Sequence, residues 1–386
     1  MKMAEKIGIV GVAQTKYEES KPGWRETELV YEVVEKVLQE TGLTYAEDGT
    51  GIDAAVTCSH DHWDGVTISN WPLADVVGGH GRPEEKVAGD GALAAYYAFV
   101  QILSGHFDIV LVTAHTKESQ TSKNAIDNFA FDPIYQRMLG LDFLSAAALQ
   151  ANRYMNRYGI TPEQCAKVVV KSRRNAKNNP YAQAPMDLSL EEVLSSRMLA
   201  YPLRLLDTKP VSDGACAMIL AREEKAKRIT DKPVWIKGIG SCYDAHYLGD
   251  RDLADCRSLV LAAKRAYSMA GIGNPRKEID VAEVCAEYSY QELLWTEGLG
   301  FCGQGEGGKL IDAGVTEMEG ELPVNPSGGA LSGNPTNVAG LIRVAEAALQ
   351  LQGRAGARQV PEAKTALAHA TSGPCGQSHC VFVLGT

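Results

Sequence analysis

An α/β fold of mostly parallel strands covered by helices, laid out twice along the chain, is what this 386-residue sequence predicts. Two observations carry that expectation. Short apolar runs alternate with segments whose apolar residues recur at helical spacing, and the order of these segments recurs after Val234. A third supports it: Asp108 to Ala114 (DIVLVTA) is apolar on alternate and intervening positions alike, as a strand buried on both faces must be.

Taken in order, Ile7 to Val12 reads as a short buried strand. Glu26 to Glu40 reads as a helix, with Leu29, Val30, Val33, Val34, Val37 and Leu38 on one face. Ile52 to Thr57 is a second strand, Gly91 to Leu103 an Ala-rich helix, and Asp108 to Ala114 a third strand. The second half repeats the pattern with strand Val234 to Gly238, helix Leu259 to Ala270, strand Val281 to Val284, helix Asn337 to Leu351, and strands Lys364 to Thr371 and Cys380 to Leu384. The expected division is 1–225 and 226–386. A more polar stretch at about 115–210, with several short helices and few strand signals, reads as an insertion suited to covering a ligand site.

Composition bounds the function. With 45% hydrophobic residues the chain has material for a sizeable core, and 38 basic against 48 acidic residues give a formal charge of -10. No basic field exists to attract nucleic acid, and an acidic ligand would need local positive charge. Nine cysteines without a CxxC argue against a disulfide framework and a zinc site, and for a reducing, cytoplasmic setting. The N-terminus lacks a signal-peptide core, and no apolar run reaches the roughly eighteen residues of a membrane span.

Several segments carry a resemblance. Pro210 to Ala221 (PVSDGACAMILA) is similar to the P-x-S-D-G-A-x-A signature closing the first half of thiolases. Asn325 to Gly340 (NPSGGALSGNPTNVAG) resembles their N-x-x-G-G-x-x-x-x-G-H-P-x-x-x-x-G segment with one change. Ser104 to Val112 (SGHFDIVLV) matches the helix-to-strand step after their nucleophile. Gly305 to Gly308 (GEGG), preceded by Leu299 to Cys302 (LGFC), resembles the sterol-carrier-protein branch. The resemblance covers nearly the whole chain. It implies the duplicated, five-layered α-β-α-β-α thiolase fold, a homodimer core, and acyl-CoA chemistry with coenzyme A as substrate or product and no permanently bound cofactor. It also implies a possible zinc-ribbon/OB-fold partner in a heteromeric complex, and CoA contacts from Asn325, Ser327, Gly328 and Gly329.

The catalytic positions depart from the family. Ala88 stands where the nucleophilic cysteine would open the Ala-rich helix. The G-H-P histidine is replaced by Asn334, which can donate to an oxyanion but cannot act as a base. Cys285 falls on the family's polar position after the strand Val281 to Val284, followed by Glu287 and Tyr288. The final base cysteine falls on Thr371 or Ser372, with Cys375 and His379 a few residues later.

Each candidate has a plain structural alternative. Asp90 is an N-cap or a pocket acid; Cys285 is a small buried hydrophobe or a nucleophile. Glu287 and Tyr288 are a base and an oxyanion donor or a structural pair, and Cys375 with His379 is an activated thiol or a turn. His60 and His62 (SHDHWDG) share a face in extended chain but have no further ligand nearby, so a pocket rim or interface with Trp63 to Trp71 is expected. Lys167 to Lys177 (KVVVKSRRNAK) reads as a solvated helix face rather than a phosphate site. Three functions stay open: thiolysis of a bulky or 2-carboxylated 3-oxoacyl-CoA of the benzoylsuccinyl-CoA type, retro-aldol cleavage of a 3-hydroxyacyl-CoA without an acyl-enzyme, and a non-catalytic acyl-CoA-binding subunit.

Overall fold

The structure is a computed structural model that describes residues 6–46 and 48–386. Its principal elements are β1 (Ile7–Gln14), α1 (Glu26–Thr41), β2 (Ala54–Cys58), β3 (Glu84–Val87), α2 (Gly91–Leu103), β4 (Ile109–Lys117), α3 (Phe143–Tyr158), α4 (Pro162–Asn175) and β5 (Asp213–Arg222). The second half contributes β6 (Val234–Tyr243), α5 (Arg257–Ala270), β7 (Val281–Val284), α6 (Ser289–Gly298), α7 (Ala339–Gln352), β8 (Thr365–Ser372) and β9 (Ser378–Gly385). Among the described residues no helix is long and apolar enough to cross a membrane.

Nine strands form one mixed sheet in the order β3-β2-β4-β5-β1-β6-β9-β8-β7. The order is a mirror about the β1–β6 seam, where Gly8 pairs with Trp235 and Ile9 with Val234. On each side the innermost strand runs antiparallel to its neighbour, that neighbour is antiparallel to the next, and the outer pairs β2–β4 and β7–β8 are parallel. An isolated parallel bridge between Ala282 and Val324 stands where β3 stands in the first half. The parallel strands are thus fewer than the alternation alone predicts, because β5 and β9 return antiparallel.

Three apolar cores separate the layers. One packs α1 (Leu29, Val30, Val33, Val34, Val37) on the outer face of β1, β4 and β5. The central core holds α2 and α7 between the two halves of the sheet, and the third holds α5 and α6 with α3 and α4. Each fully buried Val or Leu contributes about 1.5–3 kcal/mol, so α1 is held by its apolar stripe more than by its caps. This is the five-layered α-β-α-β-α arrangement.

The central layer positions the site. A Cβ on Gly91 would lie 2.7 Å from the Leu341 Cβ and 2.9 Å from the Ala114 Cβ, so glycine is what lets the first turns of α2 and α7 meet. The Gly91 amide donates to the Asn337 carbonyl at 2.7 Å, tying the two helix starts together.

Two strands of the large sheet lie outside the expected pattern. The β3 sequence EEKV has no apolar run because it is a partly exposed edge strand. The signature segment Asp213–Arg222 is itself the buried strand β5. Between β4 and β5 lie α3, α4, shorter helices at Lys123–Phe129 and Leu190–Ser195, and a small hairpin of Met198–Ala200 with Leu203–Arg204.

Candidate active site

A cavity of about 230 Å³ opens where the N-termini of α2 and α7 converge with the segment after β7 and the β8–β9 turn. Its wall carries Asp90, Asp127, Glu287, Tyr288 and Cys375, with Thr371, Ser372, Gly373 and Gly376 of the β8–β9 turn, and an apolar group of Trp63, Ile126, Phe129 and Phe143.

Asp90 is the N-cap of α2. Its Oδ1 accepts the Ala92 amide at 2.7 Å, and its Oδ2 accepts the Gly340 amide from the first turn of α7 at 2.9 Å. One carboxylate therefore caps both central helices. A Cβ at Gly340 would fall 1.9 Å from Asp90 Oδ1, so only glycine admits this contact. Burial pushes the Asp90 pKa up to about 7, against the lowering effect of the two amide bonds.

Glu287 follows β7 and is the more open acid. Its Oε1 accepts from Asn334 Nδ2 at 3.1 Å and lies 3.5 Å from Lys209 Nζ. Lys209 also meets Glu118 at 3.3 Å and Thr336 Oγ1. Burial alone would lower the Lys209 pKa, but Glu118 and Glu287 outweigh it and keep the ammonium charged. The Tyr288 phenol is raised by burial and by the charges of Glu287 and Asp127. Asp127 accepts from Lys123 Nζ at 2.9 Å, and burial raises its pKa as well.

Asn334, Cys285 and His379 lie behind the wall. Asn334 is fully buried and engages Glu287 through its amide. Cys285 is fully buried, its amide donates to the His369 carbonyl at 3.1 Å, and burial raises its thiol pKa far above the usual range. Cys375 reaches the wall but packs with Phe131, Ala146 and Leu248, and burial pushes its thiol up to about 12 despite Arg251. His379 is hydrogen-bonded to His369 and not to Cys375 among the described residues. Its Nδ1 lies 2.9 Å from His369 Nε2, and burial followed by the His369 ring holds it neutral.

The segment expected to hold CoA is an internal brace. Asn325 Oδ1 accepts the Val284 amide at 2.7 Å and its Nδ2 donates to Glu292 Oε2 at 2.8 Å. Ser327 Oγ donates to Glu283 at 2.7 Å and accepts from Arg343, while a Cβ on Gly328 would strike Ala176 and one on Gly329 would strike Asn325. None of these four lines the cavity.

His60, His62 and Trp63 do line it, and burial lowers the His60 pKa, favouring neutral imidazole. Trp71 is 71% exposed. The basic run is only partly solvated: Lys171 is fully buried in an ion pair with Glu292, and Arg173 is buried with Nη1 on the Ala184 carbonyl. Lys167, Arg174 and Lys177 pair with Asp312, Glu317 and Asp187 at the surface. Asp127 and Asn337 were not legible as site residues. Asp127 sits in an i,i+4 pair with Lys123 that reads as an ordinary helix surface, and Asn337 reads as the first residue of a helix.

The match to known proteins runs from end to end. An acetyl-CoA acetyltransferase of Methanothermobacter thermautotrophicus is 34% identical over 385 residues, covering 96% of this chain and 97% of that protein. This chain belongs to the thiolase superfamily. Residues 240–386 match the family described as thiolase C-terminal domain-like. The benzoylsuccinyl-CoA thiolase subunit BbsB of Thauera aromatica is 28% identical over 388 residues, covering 97% of each chain. Among solved structures, the Ltp2-ChsH2(DUF35) aldolase superposes with a TM-score of 0.85 at 25% identity, covering 99% of this chain and 98% of that one. The protein is thus a thiolase-like enzyme with both acyltransferases and an aldolase among its relatives.

Proposed function

We propose that this thiolase-fold enzyme makes or breaks a carbon–carbon bond in an acyl-CoA by an aldol-type route, acting on a 3-hydroxyacyl-CoA without a covalent acyl-enzyme. The observation that carries the reading is the make-up of the cavity wall. The only cysteine among its described residues, Cys375, has a thiol pushed up to about 12, while Asp90, Asp127, Glu287 and Tyr288 share the same wall. A thiolate nucleophile needs the opposite environment.

In the cleavage direction Glu287 removes the proton of the 3-hydroxyl. The C3–O bond becomes a carbonyl as C2–C3 breaks, and the electron pair passes to C2 and the thioester oxygen as an enolate. Asp90, part-protonated at neutral pH, returns a proton to C2; the proton on Glu287 then leaves to solvent and Asp90 regains one from solvent, which restores the starting state. The products are an aldehyde or ketone and a shortened acyl-CoA. The aromatic group of Trp63, Phe129 and Phe143 favours a bulky apolar 3-substituent.

The second reading is thiolysis through Cys375, favoured by its place on the wall and by the acetyl-CoA acetyltransferase relative. A homodimer core and a partner subunit fit either reading: BbsB is named as a subunit, and the aldolase is a complex with a DUF35 protein. A division near residue 225 accords with the mirrored sheet, and a covering role for 115–210 accords with the contribution of residues 126–143 to the cavity wall.

The test is to incubate the protein, alone and with a zinc-ribbon/OB-fold partner, with 3-hydroxyacyl-CoA and 3-oxoacyl-CoA panels, with and without free CoA. Cleavage of a 3-hydroxyacyl-CoA to a carbonyl compound without added CoA is the expected result. Cleavage of 3-oxoacyl-CoA that requires CoA would establish thiolysis, and binding without turnover of either panel would leave a non-catalytic subunit.

A further inference from the structure

Resting on the reading above, we infer that Asn337 is the group that holds the thioester oxygen as it becomes an enolate, with the Thr371 hydroxyl on the same cavity wall. Asn334, the asparagine in the position of the family's histidine, has its Nδ2 engaged by Glu287 and does not line the cavity. Asn337 does line it, and its Nδ2 is buried without a hydrogen-bond partner among the described residues. The residue as a whole is 7% exposed. Leaving such a donor unpaired is unfavourable unless a ligand atom completes it. Thr371 Oγ1, also on the wall, is likewise buried and unpartnered.

The placement suits a negatively charged oxygen. Asn337 precedes the first turn of α7, and its carbonyl holds the Gly91 amide at the start of α2, so two helix N-termini point their positive ends at this spot. Asp90 sits between those helix starts, and a Cβ at Gly340 would touch both Asp90 and the Ala370 Cβ, which puts the Thr371 strand against the same corner. An enolate oxygen bound by the Asn337 amide would have its carbanion carbon near Asp90, the proposed proton donor. A neutral donor in a buried site stabilises charge that develops in the reaction more than the neutral carbonyl of the ground state.

Asn337 has φ +70°, a left-handed conformation that glycine adopts freely, so Asn337→Gly removes the amide while keeping the backbone and its bond to Gly91. The experiment has two readouts on wild type, Asn337→Gly and Thr371→Val. The first is the kcat of CoA-independent cleavage, expected to fall roughly 10²–10³-fold in Asn337→Gly and less in Thr371→Val, with KM within a few-fold. The second is the affinity for acetyl-CoA against its thioether counterpart S-ethyl-CoA, which lacks the carbonyl oxygen. Wild type should prefer the thioester, and Asn337→Gly should lose that preference. An unchanged preference in a folded Asn337→Gly overturns the inference. Absence of cleavage by wild type would instead count against the aldol reading, and the binding comparison would still decide the role of Asn337.

Discussion

Replacing Glu287 with glutamine is expected to lower CoA-independent cleavage of a 3-hydroxyacyl-CoA by about a thousandfold while leaving the protein folded. A positioned general base typically supplies about 10²–10⁴-fold, and glutamine keeps the shape of the side chain while removing its basicity. The fold should survive because the amide oxygen introduced by Glu287→Gln can still accept from Asn334 Nδ2, and Lys209 keeps Glu118 at 3.3 Å as a counter-ion. Steady-state kinetics and a thermal melt check both halves of the statement. A folded variant that retains a third or more of the wild-type kcat would remove Glu287 from the role of base.

The second large effect is on the pH dependence of stability. Asp90 holds its proton up to about pH 7 in the folded chain, whereas an unfolded aspartate releases it near 3.8. Between these values the folded state binds more protons than the unfolded one, so the Asp90 contribution to stability is fully present at low pH and is lost as pH rises toward 7. Asparagine does not titrate. Comparing wild type with Asp90→Asn cancels the other groups, and the stability difference between them should move in favour of the variant by a few kcal/mol from pH 5 to pH 8. Urea unfolding midpoints at pH 5, 6.5 and 8 measure it. Parallel curves for the two proteins would show that the buried carboxyl at the joined helix starts titrates normally.

The fold was legible because its signals are local. The stripe Leu29, Val30, Val33, Val34 and Val37 faces the sheet as a single side of α1, and the recurrence of strand and helix after Val234 corresponds to the mirrored strand order. The edge strand Glu84–Val87 was hidden because a half-exposed edge needs no apolar pattern. The site was legible only where motif and geometry coincide: Asp90, Glu287, Tyr288 and Cys375 reach one cavity. Ser327 turns inward onto the buried Arg343–Glu283 ion pair, Asn325 onto the Val284 amide and Glu292, and Gly328 and Gly329 pack against Ala176 and Asn325; a run of residues does not show which way a loop turns. Lys171 illustrates the same limit, since a lysine in a basic helix gives no sign of the Glu292 that pairs with it across the fold.

No thiol carries the reaction in the proposed mechanism, and the double variant Cys285→Ala, Cys375→Ala puts this to the test. Both thiols are buried and raised in pKa, so their loss should affect packing, by roughly 1 kcal/mol for each small side chain, and not turnover. The folded double variant is expected to cleave 3-hydroxyacyl-CoA, without added CoA, at a rate within a few-fold of wild type. A folded double variant whose carbon–carbon cleavage falls by several orders of magnitude would contradict that mechanism and place a cysteine at the centre of the chemistry.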